Sequence, residues 1–281
     1  MIQLSPGSVK NAAYALERRF CPVEIHCTSR SISIIHSRAD LQSAVGILNA
    51  MKNYPSLYGA PLSNPIEAKL LLRDPELHWK KGRSAYEAAH AWMNRNTRNN
   101  GGMPSSIRAL LNEATEWKDA EIVAGFFEHA TPLDTHHGPS SNDVLAICRL
   151  SEALGVIAVE AKAGEPFGEV VSVWNSTPGK TARLKWACDF FGIDPATSGG
   201  LRWQLFHRTA SAIIEAKRFH APRAIMLIHD FSADASWLDD YLAFAKAIGV
   251  EGSGAGKLSD RQLVQGVALR LAWVRDGISD G

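Results

Sequence analysis

The order of apolar and polar positions changes character along the chain. Over the first 65 residues it is weak: a helical period across residues 39–51, an alternating stretch at 31–35 that fits a strand, then a turn-rich run with Pro55, Gly59, Pro61 and Pro65. That run reads as a linker, which makes residues 1–65 an N-terminal appendage and residues 66–281 the main domain. Helical periods follow over 66–74, over 84–94, and from Pro104-Ser105-Ser106 to about Glu116. Ser84 with Glu87 three residues on has the spacing of a capping box, in which two side chains satisfy backbone N–H groups left open at a helix start.

The period then drops from helical to alternating. Ile122–Leu133 reads as a first strand, 134–141 as a turn, Asp143–Leu150 as a second strand and, after Glu152-Ala153-Leu154-Gly155, Val156–Lys162 as a third. Further on come a helix at Lys180–Phe191, a turn at 194–200, a long helix at Leu201–Phe219 and a helix at Trp237–Ile248. Between the last two lies Ala224–His229, apolar on both faces and therefore central in a sheet; Gly266–Val274 fits a fifth strand. The expected fold is α/β: a mixed central sheet in the order helix, three strands, helix, strand, flanked by helices.

Composition narrows the class. At 46% hydrophobic and 21% charged over 281 residues, the chain is neither disordered nor collagen-like and can bury a sizeable core. A net charge of +1 rules out a global basic field. Residues 1–120 nevertheless hold 15 Lys/Arg against 10 Asp/Glu, and residues 121–281 hold 15 against 19, so the halves stand at +5 and −4. Cys21, Cys27, Cys148 and Cys188 form no C-x-x-C pair, which suits free thiols and a reduced, cytoplasmic setting. No apolar run reaches the roughly 18 residues of a membrane span, and the N-terminus lacks a basic flank before an apolar core, so neither a membrane partner nor a signal peptide is expected.

The third strand ends in Glu160-Ala161-Lys162, and alternation puts Glu160 and Lys162 on the same face as Val156 and Ala158. Charges at the end of a buried strand are costly unless they are paired or bind a metal. Asp143 starts the neighbouring strand, so antiparallel pairing brings its carboxylate to the end of the sheet where Glu160 lies. Two carboxylates that close repel, unless a divalent cation sits between them, and Lys162 beside them can orient a water. On the long helix, Gln204, His207, Arg208, Ser211 and Glu215 fall at i, i+3, i+4, i+7 and i+11. This stripe is either a solvated face or one turned toward the carboxylates. Asp134, His136 and His137 read as a solvated turn rather than a metal cluster. Glu113 reads as an exposed helix residue, and Gly254-Ala255-Gly256-Lys257 lacks the residues of a phosphate-binding loop.

Asp143, Glu160-Ala161-Lys162 seventeen residues later, and the order of elements resemble the PD-(D/E)XK nuclease superfamily, whose core is restriction-endonuclease-like. More narrowly, the chain resembles an uncharacterised bacterial domain family within it. That likeness rests on His78-Trp79-Lys80-Lys81-Gly82-Arg83-Ser84-Ala85, Phe127-Glu128-His129, Pro139-Ser140-Ser141-Asn142-Asp143, Val159-Glu160-Ala161-Lys162 with Glu165-Pro166-Phe167-Gly168, and Arg202-Trp203-Gln204-Leu205-Phe206-His207-Arg208-Thr209. It covers about residues 71–275. The resemblance implies a nuclease in which Asp143 and Glu160 hold Mg²⁺ or Mn²⁺ with the Ala161 carbonyl, Lys162 positions the attacking water, and Gln204 faces the metal site. His207 and Arg208 would contact phosphate. The implied partner is nucleic acid, with DNA the favoured polymer; a non-catalytic interaction domain that keeps the fold is the alternative. Asn142 stands where the motif's name places proline.

Overall fold

The computed structural model describes residues 26–28, 31–33, 64–134 and 138–278. The chain divides into two units, residues 1–61 and 62–281. In the first, strand β1 (His26–Thr28) pairs antiparallel with β2 (Ser31–Ser33), Cys27 opposite Ile32. The helix expected over 39–51 lies outside the described residues.

The second unit begins with three short helices, α1 (Pro65–Ala68), α2 (Pro75–His78) and α3 (Ser84–Trp92). The single helix expected over 66–74 is thus interrupted. A 3₁₀ turn at Lys69–Leu71 ends it, and Asp74 caps the next helix by accepting the Leu77 N–H at 3.1 Å. The capping box at Ser84 is not formed either. Arg83 is the N-cap and makes no side-chain cap bond, while Glu87 reaches past it to accept the Gly82 N–H at 2.7 Å. Helix α4 (Ser105–Leu111) stops short of the expected Glu116, and Glu113 beyond it is exposed.

The sheet is assembled from β3 (Glu121–Thr131), β4 (Ser140–Arg149), β5 (Leu154–Lys162), β6 (Arg223–Asp230), β7 (Lys257–Leu258), β8 (Gln262–Val264) and β9 (Val267–Arg275). Its order is β3-β4-β5-β6-β9-β7, with β8 also on β9. β3, β4 and β5 form an antiparallel meander; β5, β6 and β9 run parallel; β7 and β8 return antiparallel. Crossing between β5 and β6 takes the chain through α5 (Val171–Trp174), α6 (Pro178–Phe191) and α7 (Trp203–Arg218). Helix α8 (Leu238–Ala247) follows β6.

The architecture is a mixed α/β one, with helices on both faces of the sheet. Alternation on β4 sorts its residues between two cores. Val144, Ala146 and Cys148 join Ala88, Ile107, Leu111 and Trp117 on one side. Leu145 and Ile147 join Leu205, Phe206, Ala212 and Phe244 on the other. Cys148 and Cys188 are buried free thiols, and burial pushes the Cys148 thiol up to about 12, far from a reactive thiolate. No helix among the described residues is long and apolar enough to cross a membrane.

Candidate active site

The site forms where the β4–β5 ladder ends. Its last Cα pair is Val144 with Val159, and one step further sets Asp143 against Glu160. There the side chain replaces the ladder: Asp143 Oδ2 accepts the Ala161 N–H at 2.6 Å. Glu160 and Lys162 share the β5 face that carries Val156 and Ala158 into the α7-side core, and both are buried. Lys162 Nζ donates to Glu160 Oε1 at 2.6 Å and to Gln204 Oε1 at 3.1 Å, and lies 5.2 Å from the Phe167 ring centre.

Helix α7 closes the cluster. Gln204 Nε2 donates to Glu160 Oε1 at 2.7 Å, and Arg208 Nε donates to Glu160 Oε2. Arg208 Nη1 also reaches Ser140 Oγ at 3.0 Å, and His207 Nδ1 bonds that hydroxyl at 2.8 Å. Further along the same stripe, Ser211 Oγ donates to Asn142 Oδ1 at 2.7 Å, and Glu215 Oε1 lies 3.1 Å from His129 Nε2. The stripe is therefore not a solvated face: Ser211 and Glu215 are fully buried against β3 and β4, while Leu205 and Ala212 pack in the apolar core.

Glu128 is the acidic residue whose place the periodicity did not reveal. It lies on β3 between the Phe127–Val144 and His129–Asn142 pairs, hence opposite Asp143, and its φ is +51°. That left-handed backbone is uncommon for a residue other than glycine, and it re-aims the side chain out of the strand's alternation. Phe127, Glu128 and Asp143 line a small, partly open space of about 10 Å³ with Leu72, Trp79 and Ala88, at the lower limit for one water.

Three carboxylates and two cations in one place perturb each other. Burial, and then the charges of Glu160 and Glu128, push Asp143 well above the usual carboxylate range. Burial raises Glu128 to about 7; Arg208 pulls it down and Glu160 pushes it up. For Glu160, burial opposes ionisation, but Arg208 and Lys162 outweigh it and hold the carboxyl below its ordinary value. Burial and the nearby Arg208, Arg183 and Lys162 hold His207 well below its ordinary value, so the imidazole is neutral and brings no charge to an anion.

The Glu128 shift has a measurable consequence. Its folded-state pKa is raised, so the folded form holds the proton more tightly than the unfolded chain does. Stability is then lost as pH rises from about 4.5 through about 7. Glu128→Gln should leave stability unchanged at pH 4 and raise it at pH 8, by about 3 kcal/mol. Urea titrations at the two pH values test this. An equal effect of the substitution at both would remove Glu128 from the cluster.

Other residues singled out by sequence lie elsewhere. Glu165 Oε2 accepts the Ala163 N–H at 2.6 Å and Oε1 the Ser84 N–H at 3.4 Å, tying the loop after β5 to the start of α3. The Asp134 side chain is buried 3.6 Å from Arg183, not solvated as the turn-rich sequence suggested. His136 and His137 lie outside the described residues. Ser140, which links Arg208 to His207, carried no sequence signal beyond its place beside Asp143.

Among the described residues, no three or more His, Cys, Asp or Glu side chains are grouped to hold a metal ion. Mg²⁺, however, is commonly held by one or two carboxylates and keeps several waters. Asp143 and Glu160 are hard oxygen donors at one strand end; burial and then the like charges of Glu160 and Glu128 raise Asp143, and a dication would offset both. The donor set fits such an ion.

Fold and site together define an α/β domain with a buried carboxylate–lysine–arginine cluster at the open end of its sheet. The chain belongs to the family described as Domain of unknown function (DUF6946), whose model matches residues 61–277. No match was found among curated proteins or among solved structures.

Proposed function

We propose that this chain is a Mg²⁺- or Mn²⁺-dependent hydrolase of phosphodiester bonds in nucleic acid, DNA foremost, on a restriction-endonuclease-like core. One observation carries the reading: Asp143, Glu160 and Lys162 from two adjacent strands meet Gln204 and Arg208 from α7 around a single buried carboxylate. A bound Mg²⁺ would lower the pKa of a water and offset charge on the phosphorane. Asp143 and Glu160, with the Ala161 carbonyl, would hold it. Lys162 would orient the attacking water, and Gln204, bonded to both Lys162 and Glu160, would keep that ammonium aimed. Arg208 would take a phosphate oxygen pair with its planar fork, and His207 would assist as a neutral partner.

A polymeric anion suits the surroundings. Lys80, Lys81 and Arg83 are exposed and follow Trp79, whose side chain lines the same small space as Asp143. The second reading is a non-catalytic domain that keeps the fold. The closed Arg208–Glu160 pair and the narrow space at Asp143 favour it.

The discriminating experiment incubates the wild-type chain with single- and double-stranded DNA, RNA and small phosphate esters, with Mg²⁺ or Mn²⁺. Metal-dependent cleavage of DNA supports the hydrolase. Salt-sensitive DNA binding with no turnover on any substrate supports the binding domain.

A further inference from the structure

The carboxylate at the centre of the site is already engaged on both oxygens. Glu160 Oε1 accepts from Lys162 and Gln204, and Oε2 accepts from Arg208. Lys162 is fixed two residues away on the same strand. Arg208 is different: it reaches in from α7, and its other anchor is a neutral hydroxyl, Ser140 Oγ. A dication arriving at Asp143 and Glu160 needs a lone pair on Oε2 and meets the guanidinium's positive charge. A phosphate diester offers that guanidinium an anionic, bidentate partner in place of the one it has.

We propose that Arg208 is a stand-in cation. It neutralises Glu160 until a phosphate draws it away, so that metal and phosphate ester bind with positive linkage, each raising the affinity of the other. The inference rests on the hydrolase reading and deepens it: the site takes up its metal fully only when substrate is present. The geometry agrees: Arg208 and Glu160 form a buried ion pair, so with Arg208 in place a dication meets a carboxylate already neutralised, and with Arg208 on phosphate it meets one with Oε2 free.

The test reads metal binding, not turnover. Mn²⁺ affinity is measured by calorimetry on wild type, Arg208→Gln, Arg208→Lys and Asp143→Asn, with and without dimethyl phosphate, a small anionic diester. Without the diester, Arg208→Gln should bind Mn²⁺ roughly tenfold more tightly than wild type, and Arg208→Lys, which keeps the charge, should stay near wild type. Dimethyl phosphate should tighten Mn²⁺ binding to wild type and leave Arg208→Gln unmoved. If Arg208→Gln binds no more tightly than wild type while Asp143→Asn abolishes binding, the metal site stands and the stand-in role falls. If all four proteins bind Mn²⁺ equally poorly, the metal reading falls with it. Should Arg208→Gln not fold, the wild-type comparison decides, and an affinity unchanged by dimethyl phosphate overturns the proposal.

Discussion

Glu160→Gln should unfold at markedly lower denaturant than wild type, with a loss of about 3–5 kcal/mol, the usual cost of stranding a buried charge. Glu160 is the anion between two buried cations, with side-chain exposures of 3% for Glu160, 7% for Lys162 and 11% for Arg208. The glutamine amide can still accept from Lys162 and Gln204 through its oxygen. Its NH₂ group then faces the Arg208 N–H, donor against donor, and Lys162 and Arg208 both lose the anion they share. Asp143→Asn should behave in the opposite way. Asp143 is pushed toward its neutral form by its neighbours, and asparagine keeps an oxygen for the Ala161 N–H. Chemical denaturation of both variants makes the comparison. Equal stability of the two would show that Glu160 is not the pivot of the cluster.

Lys162→Ala should lower the rate of metal-dependent cleavage by on the order of 10²–10³ while leaving Mn²⁺ binding in place. The lysine contacts Glu160 and Gln204 but is not a metal donor, and its removal leaves Arg208 to balance Glu160. Single-turnover rates at saturating metal, with Mn²⁺ affinity measured on the same preparation, separate the two effects. A variant that loses metal binding in proportion to its rate would assign Lys162 to holding the site together rather than to orienting water.

The strand end was legible because two simple rules bear on it. Alternation put Glu160 and Lys162 on the face of Val156 and Ala158, and antiparallel pairing set Asp143 against Glu160; the register is that of the described ladder. Membership of the α7 stripe followed from a period of 3.6. Its destination did not, because Ser211 and Glu215 look like surface residues until Asn142 and His129 are known to lie opposite. Glu128 was hidden for a different reason. Its left-handed backbone is a local departure from the strand, set by what packs around it, and no side-chain pattern encodes that. The short strands β7 and β8, of two and three residues, are too brief for any periodicity to register. The break after Leu71 was signalled by Asp74-Pro75, a cap followed by a first-turn proline, which the apolar run before it masked.

The polar contacts along α7 carry one more consequence. A helix held on a sheet by apolar side chains alone can slide by fractions of an ångström at little cost, since one methyl is much like the next. Ser211 on Asn142 and Glu215 beside His129 act as keyways: a shift of one turn would break both of these polar contacts across the seam. Ser211 lies seven residues beyond Gln204, about 10 Å along the helix axis. The aim of Gln204 and Arg208 at Glu160 is thus indexed from a point well outside the cluster, much as a lathe tool is zeroed against a stop far from the cut.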